Sequence, residues 1–433
     1  MAYRLARDQK GPFQGVRLQW SGKEEKPDIV PLRLELVKVV TPPCEPKEKE
    51  HPVTTLSSGQ GTRDYEETVP FPLEPEGREE VQASRQATPA ALRRPACDQP
   101  EFLSWRDRLI QGENGRVMTA LLPELRGKVD LIYLDPPFNS GYDFLLPPEA
   151  EGHNGQAPSG TGARAYRDSW GKDLAPYLAF LYHRLVLMRE LLADDGSLYL
   201  HVDWHAGHYL KLLLDEIFGR ENFRNEIIWK RDIAGKGAKK GSGQWPRNFD
   251  TLFFYSKSLC YHFVQPYRPL SEKQKGAYRH REPDGRRFKA VQLGDYSQES
   301  VDRLMTAGLI YTSSTGRRYK KYYLDEAQAT VDAIWDDIPG FGTRTAAREF
   351  LNFPKQKPEA LLRRIIEASS REGDLVADFF SGSGTTLVVA GKLGRRWIGV
   401  EENPRAVEIA RKRLEGTAGQ PPFEVWAAPS RQV

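Results

Sequence analysis

Cysteines and long apolar runs are scarce in this 433-residue sequence, and its charges nearly balance. The three cysteines, Cys44, Cys97 and Cys260, include no pair at the C-x-x-C spacing of a zinc site and form no disulfide framework. No run is long and apolar enough to cross a membrane, and the N-terminus lacks the apolar core of a signal peptide. These absences predict a cytoplasmic protein without structural zinc or a membrane partner.

The composition leaves the partner open. The formal net charge of +4 is a slight basic excess, which permits nucleic-acid binding without requiring it. Hydrophobic residues make up 39% and charged residues 28%, a mixture typical of a globular protein with a sizeable core.

Residues 1–95 predict a largely flexible, poorly structured N-terminal arm. Residues 41–95 are rich in Pro, Glu, Gln, Ser and Thr and cannot bury much surface. Residues 29–40 alternate enough to form a strand. We expect this arm to be dispensable for folding and catalysis.

From about residue 96, short apolar runs alternate with segments of helical periodicity. Strands are expected at 129–135, 197–203, 225–230, 251–256, 375–379 and 396–401. Helices are expected at 173–193, which Asp194-Asp195-Gly196 should end, and at 208–218, 359–370, 387–393 and 404–414. The alternation predicts an α/β domain with a mainly parallel sheet.

A glycine-rich turn follows the strand expected at 375–379 and opens a helix. Gly382 and Gly384 let the backbone approach a ligand closely, and the first N–H groups of the helix can bind an anion. Glu401 ends the next strand and offers a carboxylate to both hydroxyls of a ribose. A tight turn without a ligand is the alternative; the acidic strand end favours a nucleoside cofactor.

The sequence Asp135-Pro136-Pro137-Phe138 ends the strand expected at 129–135. Residues before proline are held out of the helical region, so this is a stiff turn at the carboxyl end of a strand, where open α/β sheets bind ligands. The Asp135 carboxylate and the Pro136 carbonyl are two acceptors beside the flat ring of Phe138. An exocyclic amine on an aromatic base needs this set; a turn around a buried Phe is the alternative.

Basic residues cluster around glycines between the strands at 225–230 and 251–256. They are Lys230, Arg231, Lys236, Lys239, Lys240 and Arg247. Composition alone is equally typical of a solvated loop, but a position between two strands of the predicted sheet favours phosphate contacts. His201, His205 and His208 have partly helical spacing without a further ligand, so we expect packing and no metal.

Together the two motifs resemble those of the DNA amino-methyltransferases, which carry D-P-P-Y/F and F-x-G-x-G. Here they are residues 135–138 and Phe380-Ser381-Gly382-Ser383-Gly384, in the circularly permuted order of the β group. The resemblance covers about residues 109–414. It implies a Rossmann-like, S-adenosylmethionine-dependent methyltransferase fold, circularly permuted, with an inserted target-recognition region. The expected parts are the arm (1–95), the first catalytic part (96–256), the target-recognition region (257–342) and the second catalytic part (343–433).

The resemblance also assigns site residues. Asp135, Pro136, Pro137 and Phe138 are the catalytic group, with Phe138 stacking on a base flipped out of the duplex. Glu113 stands where the family has an Asp that contacts the cofactor adenine, and Lys357 lies in the segment before the cofactor motif, where Thr is usual at the position of Lys355. The full S-adenosylmethionine set is Glu113, Lys357, Asp378, Phe380, Gly382, Gly384, Thr385 and Glu401.

The implied function is site-specific transfer of a methyl group from S-adenosylmethionine to N6 of adenine in double-stranded DNA. An N4-cytosine enzyme is the first alternative, because Asp before Pro-Pro leans only modestly towards adenine. A non-catalytic DNA-binding protein of the same fold is the alternative from another class. RNA or protein amide methylation ranks lower, since Asn usually replaces Asp135 there. A cognate restriction endonuclease and a second copy in a homodimer are further partners that the resemblance allows.

Overall fold

The computed structural model describes residues 4–7, 16–19, 23, 34–41, 105–146, 164–170, 173–232, 243–341 and 347–429. The chain divides into two compact units. One consists of residues 1–44, 92–266 and 331–433, and the other of residues 45–91 and 267–330.

The described strands are β1 (Arg4–Arg7), β2 (Val16–Gln19), β3 (Glu35–Val40), β4 (Asp107–Gln111), β5 (Val129–Leu134), β6 (Phe144–Leu145), β7 (Arg164–Tyr166), β8 (Leu192–Val202), β9 (Phe223–Trp229), β10 (Asp250–Ser256), β11 (Tyr267–Arg268), β12 (His280–Arg281), β13 (Arg287–Gln292), β14 (Ile310–Thr312), β15 (Arg318–Tyr323), β16 (Ala329–Thr330), β17 (Ile334–Trp335), β18 (Leu375–Asp378), β19 (Arg396–Glu401) and β20 (Phe423–Ala427). The described α-helices are α1 (Asn114–Leu125), α2 (Ala175–Leu191), α3 (Gly207–Phe218), α4 (Glu272–Lys275), α5 (Gln298–Thr306), α6 (Glu359–Ser369), α7 (Thr385–Lys392) and α8 (Pro404–Glu415). Within these residues, no helix combines the length and apolar character that crossing a bilayer requires.

A mixed sheet forms the centre of the first unit. Across its described part, ten strands follow the order β17-β9-β10-β8-β5-β18-β19-β4-β20-β3. The strands from β8 to β20 in this order are parallel to one another, whereas β10 pairs antiparallel with β8 and β9, and β3 pairs antiparallel with β20. The predicted α/β class with a mainly parallel sheet is confirmed.

Apolar residues cover both faces of the sheet. In β5, Ile132 and Leu134 belong to the core that contains α2, while Leu131 and Tyr133 belong to the core that contains α6. This alternation explains why the predicted strand has an almost continuous apolar run: a central parallel strand is buried on both sides. The result is a Rossmann-like arrangement of helices on two faces of one sheet.

The structure differs from the sequence prediction in two segments. β8 begins at Leu192, so α2 ends before Asp194-Asp195-Gly196, and these three residues lie inside the strand. The pairing of β8 with β5 shifts register between Val129 and Leu131, which accommodates them. β3 lies within residues 29–40, where a strand was expected, but it forms the edge of the main sheet with Val40 buried instead of belonging to a flexible arm. Residues 42–95 of the arm lie outside the described residues.

The second unit contains a four-stranded antiparallel sheet in the order β12-β13-β15-β14. One face carries an aromatic cluster in which Phe288 is buried between His280, Tyr311 and Tyr323. Sequence periodicity does not indicate these strands, because they are short and their buried face is built from Tyr and Phe.

Candidate active site

The carboxyl ends of β5, β18 and β19 border one cavity of about 520 Å³. Small-molecule sites occupy roughly 300–1,000 Å³, so the cavity suits a cofactor or a base. It brings together the two motifs that lie far apart in the sequence. The predicted residues on its wall are Glu113, Asp135, Pro136, Pro137, Phe138, Lys357, Asp378, Phe380, Gly382, Thr385 and Glu401.

Asp378 ends β18 and holds the glycine-rich turn. Its Oδ1 accepts a hydrogen bond from the Phe380 N–H at 3.0 Å, and its Oδ2 accepts one from the Thr386 hydroxyl at 2.5 Å. Burial raises the pKa of Asp378 to about 7, although both donors favour the ionised form. Asp378 therefore fixes the backbone directly before α7.

Two glycines of the turn have left-handed backbone conformations, with φ of 50° at Gly382 and 75° at Gly384. A Cβ on Gly384 would lie 3.1 Å from the Cβ of Ala410, so Gly384 lets the start of α7 approach α8 closely. Gly384 therefore serves helix packing, a reason for glycine that the motif did not reveal.

Glu401 lies at the carboxyl end of β19 and faces the cavity. It accepts hydrogen bonds from the Gly382 N–H at 3.0 Å and the Asn403 N–H at 2.8 Å. An ionised carboxylate offers about four lone-pair positions, so acceptor capacity remains for hydroxyl groups. Burial raises the pKa of Glu401 to about 7.

Glu113 caps the first turn of α1. Its carboxylate accepts hydrogen bonds from the N–H groups of Gly115 and Arg116, both at 2.9 Å, and forms an ion pair with Arg184. Burial would raise the pKa of Glu113, but the charge of Arg184 and the backbone donors outweigh it, and the pKa lies below its usual value. Glu113 thus lines the cavity as a fixed, charged group.

Arg184 was missed by sequence reasoning. It occupies the apolar stripe of α2 between Leu181 and Met188, at the helical spacing of buried residues. A charged residue at such a position requires a partner, and this signal could have identified it. Its Nε also donates to Asn114 Oδ1 at 2.6 Å, which links α2 to the cavity wall.

Asp135 is the most constrained residue of the D-P-P-F motif. Its Oδ2 accepts a hydrogen bond from Lys357 Nζ at 2.5 Å. Its Oδ1 is buried and has no hydrogen-bond partner among the described residues. Lys357 also donates to the Lys355 carbonyl at 3.1 Å. Sequence reasoning assigned Lys357 to the cofactor, whereas its contacts here are with the predicted catalytic carboxylate.

Phe138 is only 5% exposed, at the inner end of the cavity. Its ring stacks on His201 with centroids 5.9 Å apart and an interplanar angle of 25°. The Nζ atoms of Lys355 and Lys357 lie 5.2 and 5.4 Å from the ring centroid. Tyr177 fixes the same turn by donating its hydroxyl to the Pro137 carbonyl at 2.6 Å.

The backbone after the D-P-P-F motif is strained at Asn139, where φ is 59°. Asp168 holds it by accepting hydrogen bonds from the N–H groups of Asn139 at 2.6 Å and Ser140 at 3.1 Å. Asn352 and Lys355 also have positive φ, and Lys355 lines the cavity. Asp168 lies in a loop whose sequence carried no motif, so nothing in the sequence indicated this role.

The predicted DNA-contacting residues fall into two groups. Lys236, Lys239 and Lys240 lie outside the described residues. Arg231 pairs with Asp250 through Nε at 2.9 Å, and the Arg247 guanidinium lies 3.9 Å from the ring centroid of the half-exposed Trp204. The side chain of Lys230 is partly exposed beside them.

Comparison with known proteins identifies relatives over most of the chain. A family model described as DNA methylase matches residues 129–412. The type II methyltransferase M.EcaI of Enterobacter cloacae is 32% identical over 334 residues, which cover 70% of this chain and 68% of that protein.

Two further relatives are more distant. The probable type III restriction-modification enzyme HindVI Mod subunit of Haemophilus influenzae is 26% identical and covers 72% of this chain, which spans 51% of that protein. The DNA adenine methyltransferase YhdJ of Escherichia coli K12 is 26% identical over 74% of this chain and 87% of that protein.

Proposed function

We propose that this chain, which belongs to the DNA methylase family, methylates the N6 amine of adenine in DNA. As a member of that family it is an S-adenosylmethionine-dependent methyltransferase with a Rossmann-like fold. Its substrate is DNA, and the choice of adenine is supported by the relative named as a DNA adenine methyltransferase.

The proposal rests on the hydrogen bonding of the Asp135 carboxylate. One carboxylate oxygen is held by Lys357, and the other is buried on the cavity wall without a hydrogen-bond partner among the described residues. A buried acceptor without a donor is costly, so its retention indicates that a ligand supplies the donor. The exocyclic amine of a base has two N–H groups and suits this position beside Phe138.

Bound S-adenosylmethionine supplies a methyl group activated by a positively charged sulfur. The N6 nitrogen is a poor nucleophile because its lone pair is delocalised into the ring. Hydrogen bonds to Asp135 Oδ1 and the Pro136 carbonyl would hold the amine and favour a pyramidal nitrogen with its lone pair free. Asp135 would also stabilise the positive charge that develops on nitrogen, before one amine proton leaves to solvent.

The opposite side of the cavity fits the nucleoside part of the cofactor. Glu401 is fixed by two backbone donors and retains acceptor positions for the two ribose hydroxyls. We assign the contact with the adenine of the cofactor to Glu113, which caps the N-terminus of α1. The methionine end is assigned to the turn formed by Asp378, Phe380, Gly382, Gly384 and Thr385.

Asp135→Ala tests the catalytic assignment. We expect loss of tritium transfer from labelled S-adenosylmethionine to DNA, with cofactor affinity by calorimetry close to that of the unmodified protein. Asp215→Ala is a matched control, because Asp215 is a similarly buried carboxylate that accepts a hydrogen bond from Lys211 at 2.8 Å and does not line the cavity. Methyl transfer by Asp135→Ala at the control level would contradict the assignment.

The methylated nucleoside in the product identifies which base the protein modifies. Cytosine also presents two N–H donors on a conjugated nitrogen, so Asp135 and Pro136 serve either base. Digesting DNA methylated by the protein to nucleosides and identifying them by mass spectrometry should give N6-methyladenine. N4-methylcytosine alone would correct the base and leave the roles of Asp135 and Phe138 in place. No methylated nucleoside would favour a non-catalytic DNA-binding protein.

We further propose that DNA phosphates contact the basic segment that includes Lys230, Arg231, Lys236, Lys239, Lys240 and Arg247. The Arg247 guanidinium lies over the half-exposed ring of Trp204, which places its charge beside an aromatic surface. Charge reversal at Arg247 should weaken DNA binding at low salt and reduce the salt dependence of the affinity. An unchanged salt dependence would remove Arg247 from the DNA interface.

The predicted target-recognition region, residues 257–342, is proposed to read DNA through one face of its sheet. Residues 267–330 carry thirteen Lys and Arg against eight Asp and Glu, a net +5 compared with +4 for the whole chain. Lys289 and Lys320 flank the exposed ring of Tyr322, at 5.6 and 4.8 Å from its centroid. This basic and aromatic face suits phosphate and base contacts. Tyr322→Ala should reduce methylation while leaving S-adenosylmethionine binding unchanged.

Partners beyond DNA are also proposed. A relative named as the Mod subunit of a restriction-modification enzyme supports a cognate restriction endonuclease as partner. The test is to co-express the protein with a neighbouring nuclease gene. Cleavage of unmethylated DNA, and protection of the DNA when this protein is active, would establish the nuclease as a partner. Sedimentation of the purified protein tests the proposed homodimer.

A further inference from the structure

A buried polar chain connects the target pocket to the basic segment. His201, the next-to-last residue of β8, is completely buried. The Tyr133 hydroxyl lies 2.8 Å from its Nδ1, and Asp250 Oδ2 lies 3.3 Å from its Nε2. Asp250 Oδ1 in turn accepts a hydrogen bond from Arg231 Nε at 2.9 Å. The chain thus crosses β5, β8 and β10 and ends at a side chain that is 41% exposed.

The protonation states follow from the partners. An ionised carboxylate only accepts hydrogen bonds, so Nε2 of His201 carries the proton and donates to Asp250. Nδ1 then accepts a hydrogen bond from the Tyr133 hydroxyl. Burial lowers the pKa of His201, which keeps the ring neutral and consistent with this arrangement. Burial acts against ionisation of Asp250, but hydrogen bonding to His201 and the charge of Arg231 lower its pKa to about 2.

The same imidazole supports Phe138. The two rings stack, and Trp229 closes the other side of the imidazole edge-on, with centroids 5.5 Å apart. Apolar side chains could fill this position without the cost of burying polar groups. A buried chain in which each group has a partner is instead able to hold one orientation of the ring.

We infer that His201 is a positioning residue: it fixes Phe138 for the flipped base and couples this ring, through Asp250, to the contact of Arg231 with DNA. The inference rests on the proposed function, because Phe138 and Arg231 have their roles there. When a phosphate competes for the Arg231 guanidinium, the hold of Asp250 on His201 changes. The interaction between Asp250 and His201 therefore differs between the free and the DNA-bound protein, and such a difference is what couples two sites energetically.

The test uses His201→Asn and the isosteric Asp250→Asn in the full-length protein. We expect a fall in kcat of about tenfold or more, since small displacements of a reacting group have effects of this size. Affinity for S-adenosylmethionine, measured by calorimetry, should stay unchanged. Fluorescence of an oligonucleotide with 2-aminopurine at the methylated position should rise less than with the unmodified protein, because the base is flipped less often.

Tyr199→Phe is the matched control. It removes a buried hydroxyl hydrogen bond to Ser369 from the same strand, two residues before His201, and Tyr199 does not line the cavity. A melting temperature measured for each variant separates misfolding from mispositioning. If Asp250→Asn and His201→Asn changed kcat and 2-aminopurine fluorescence no more than Tyr199→Phe does, the inference would be overturned.

Coupling is tested with Arg231→Ala, alone and combined with His201→Asn. We expect the two effects on kcat not to multiply, whereas the effect of Arg231→Ala on the KM for DNA persists in both backgrounds. Effects on kcat that multiply would show that Arg231 and His201 act independently. Methyl transfer by the unmodified protein is measured first, so failure of the proposed function is distinguished from failure of this inference.

Discussion

Replacing Lys357 with Gln should impair methyl transfer without impairing cofactor binding. The change removes a charge-assisted hydrogen bond of 2.5 Å between side chains that are 8% and 19% exposed, so solvent screens the pair little. Hydrogen bonds to charged groups contribute about 1.5–3 kcal/mol. At about 1.4 kcal/mol for each factor of ten, kcat/KM should fall about 10- to 100-fold.

The assay is tritium transfer over a range of DNA concentrations at saturating S-adenosylmethionine, with calorimetry of S-adenosylmethionine alongside. Lys392→Gln is the control, since Lys392 forms a comparable ion pair with Glu359 at 2.7 Å in the same unit but away from the cavity. Lys357→Arg should recover part of the activity because it keeps the positive charge. The reasoning is refuted if Lys357→Gln weakens cofactor binding and leaves transfer at saturating cofactor unchanged, which is the result that the sequence assignment of Lys357 predicts.

Three further outcomes are expected. Glu401→Gln should weaken S-adenosylmethionine binding by about 1.5–3 kcal/mol, and calorimetry showing no change would mean that the ribose is held elsewhere. The affinity of the unmodified protein should rise as pH increases through about 7, where Glu401 and Asp378 ionise, and this rise should be smaller in Glu401→Gln, where only Asp378 still ionises. Removing residues 1–41 should preserve methyl transfer but lower the melting temperature, since burial of a side chain such as Val40 contributes about 1.5–3 kcal/mol; an unchanged melting temperature would mean that β3 adds no stability.

Features encoded locally were predictable. The apolar run of β5, the prolines after Asp135 and the glycines before α7 each restrict the backbone within a few residues, and the structure forms the expected strand and turns there. The meeting of both motifs at one cavity followed from the rule that parallel strands place their carboxyl ends on one edge of the sheet.

Features that depend on distant partners were not predictable. Lys357 meets Asp135 across 222 positions of sequence, and no local pattern encodes that pair. The strand β8 continues through Asp194-Asp195-Gly196 because pairing with β5 overrides a local turn signal. The strand within residues 29–40 was expected from its alternating pattern, but its place at the edge of the main sheet depends on backbone pairing with β20, which no local pattern encodes.

The charges of the cavity explain why cofactor binding should depend on pH. The pKa values of Asp378 and Glu401 are both raised to about 7, chiefly by burial, and the charges of Asp135 and Glu401 contribute to the rise in Asp378. Ionisation of each of these acids therefore disfavours ionisation of the other. The positive charge of Lys357 is paired with Asp135. S-adenosylmethionine carries a positive sulfur and an ammonium group, and a cation beside these acids favours their ionised forms. Binding below pH 7 must then release protons, and the affinity must strengthen as the acids ionise. A ligand that bound without its positive charge near these carboxyls would show neither effect.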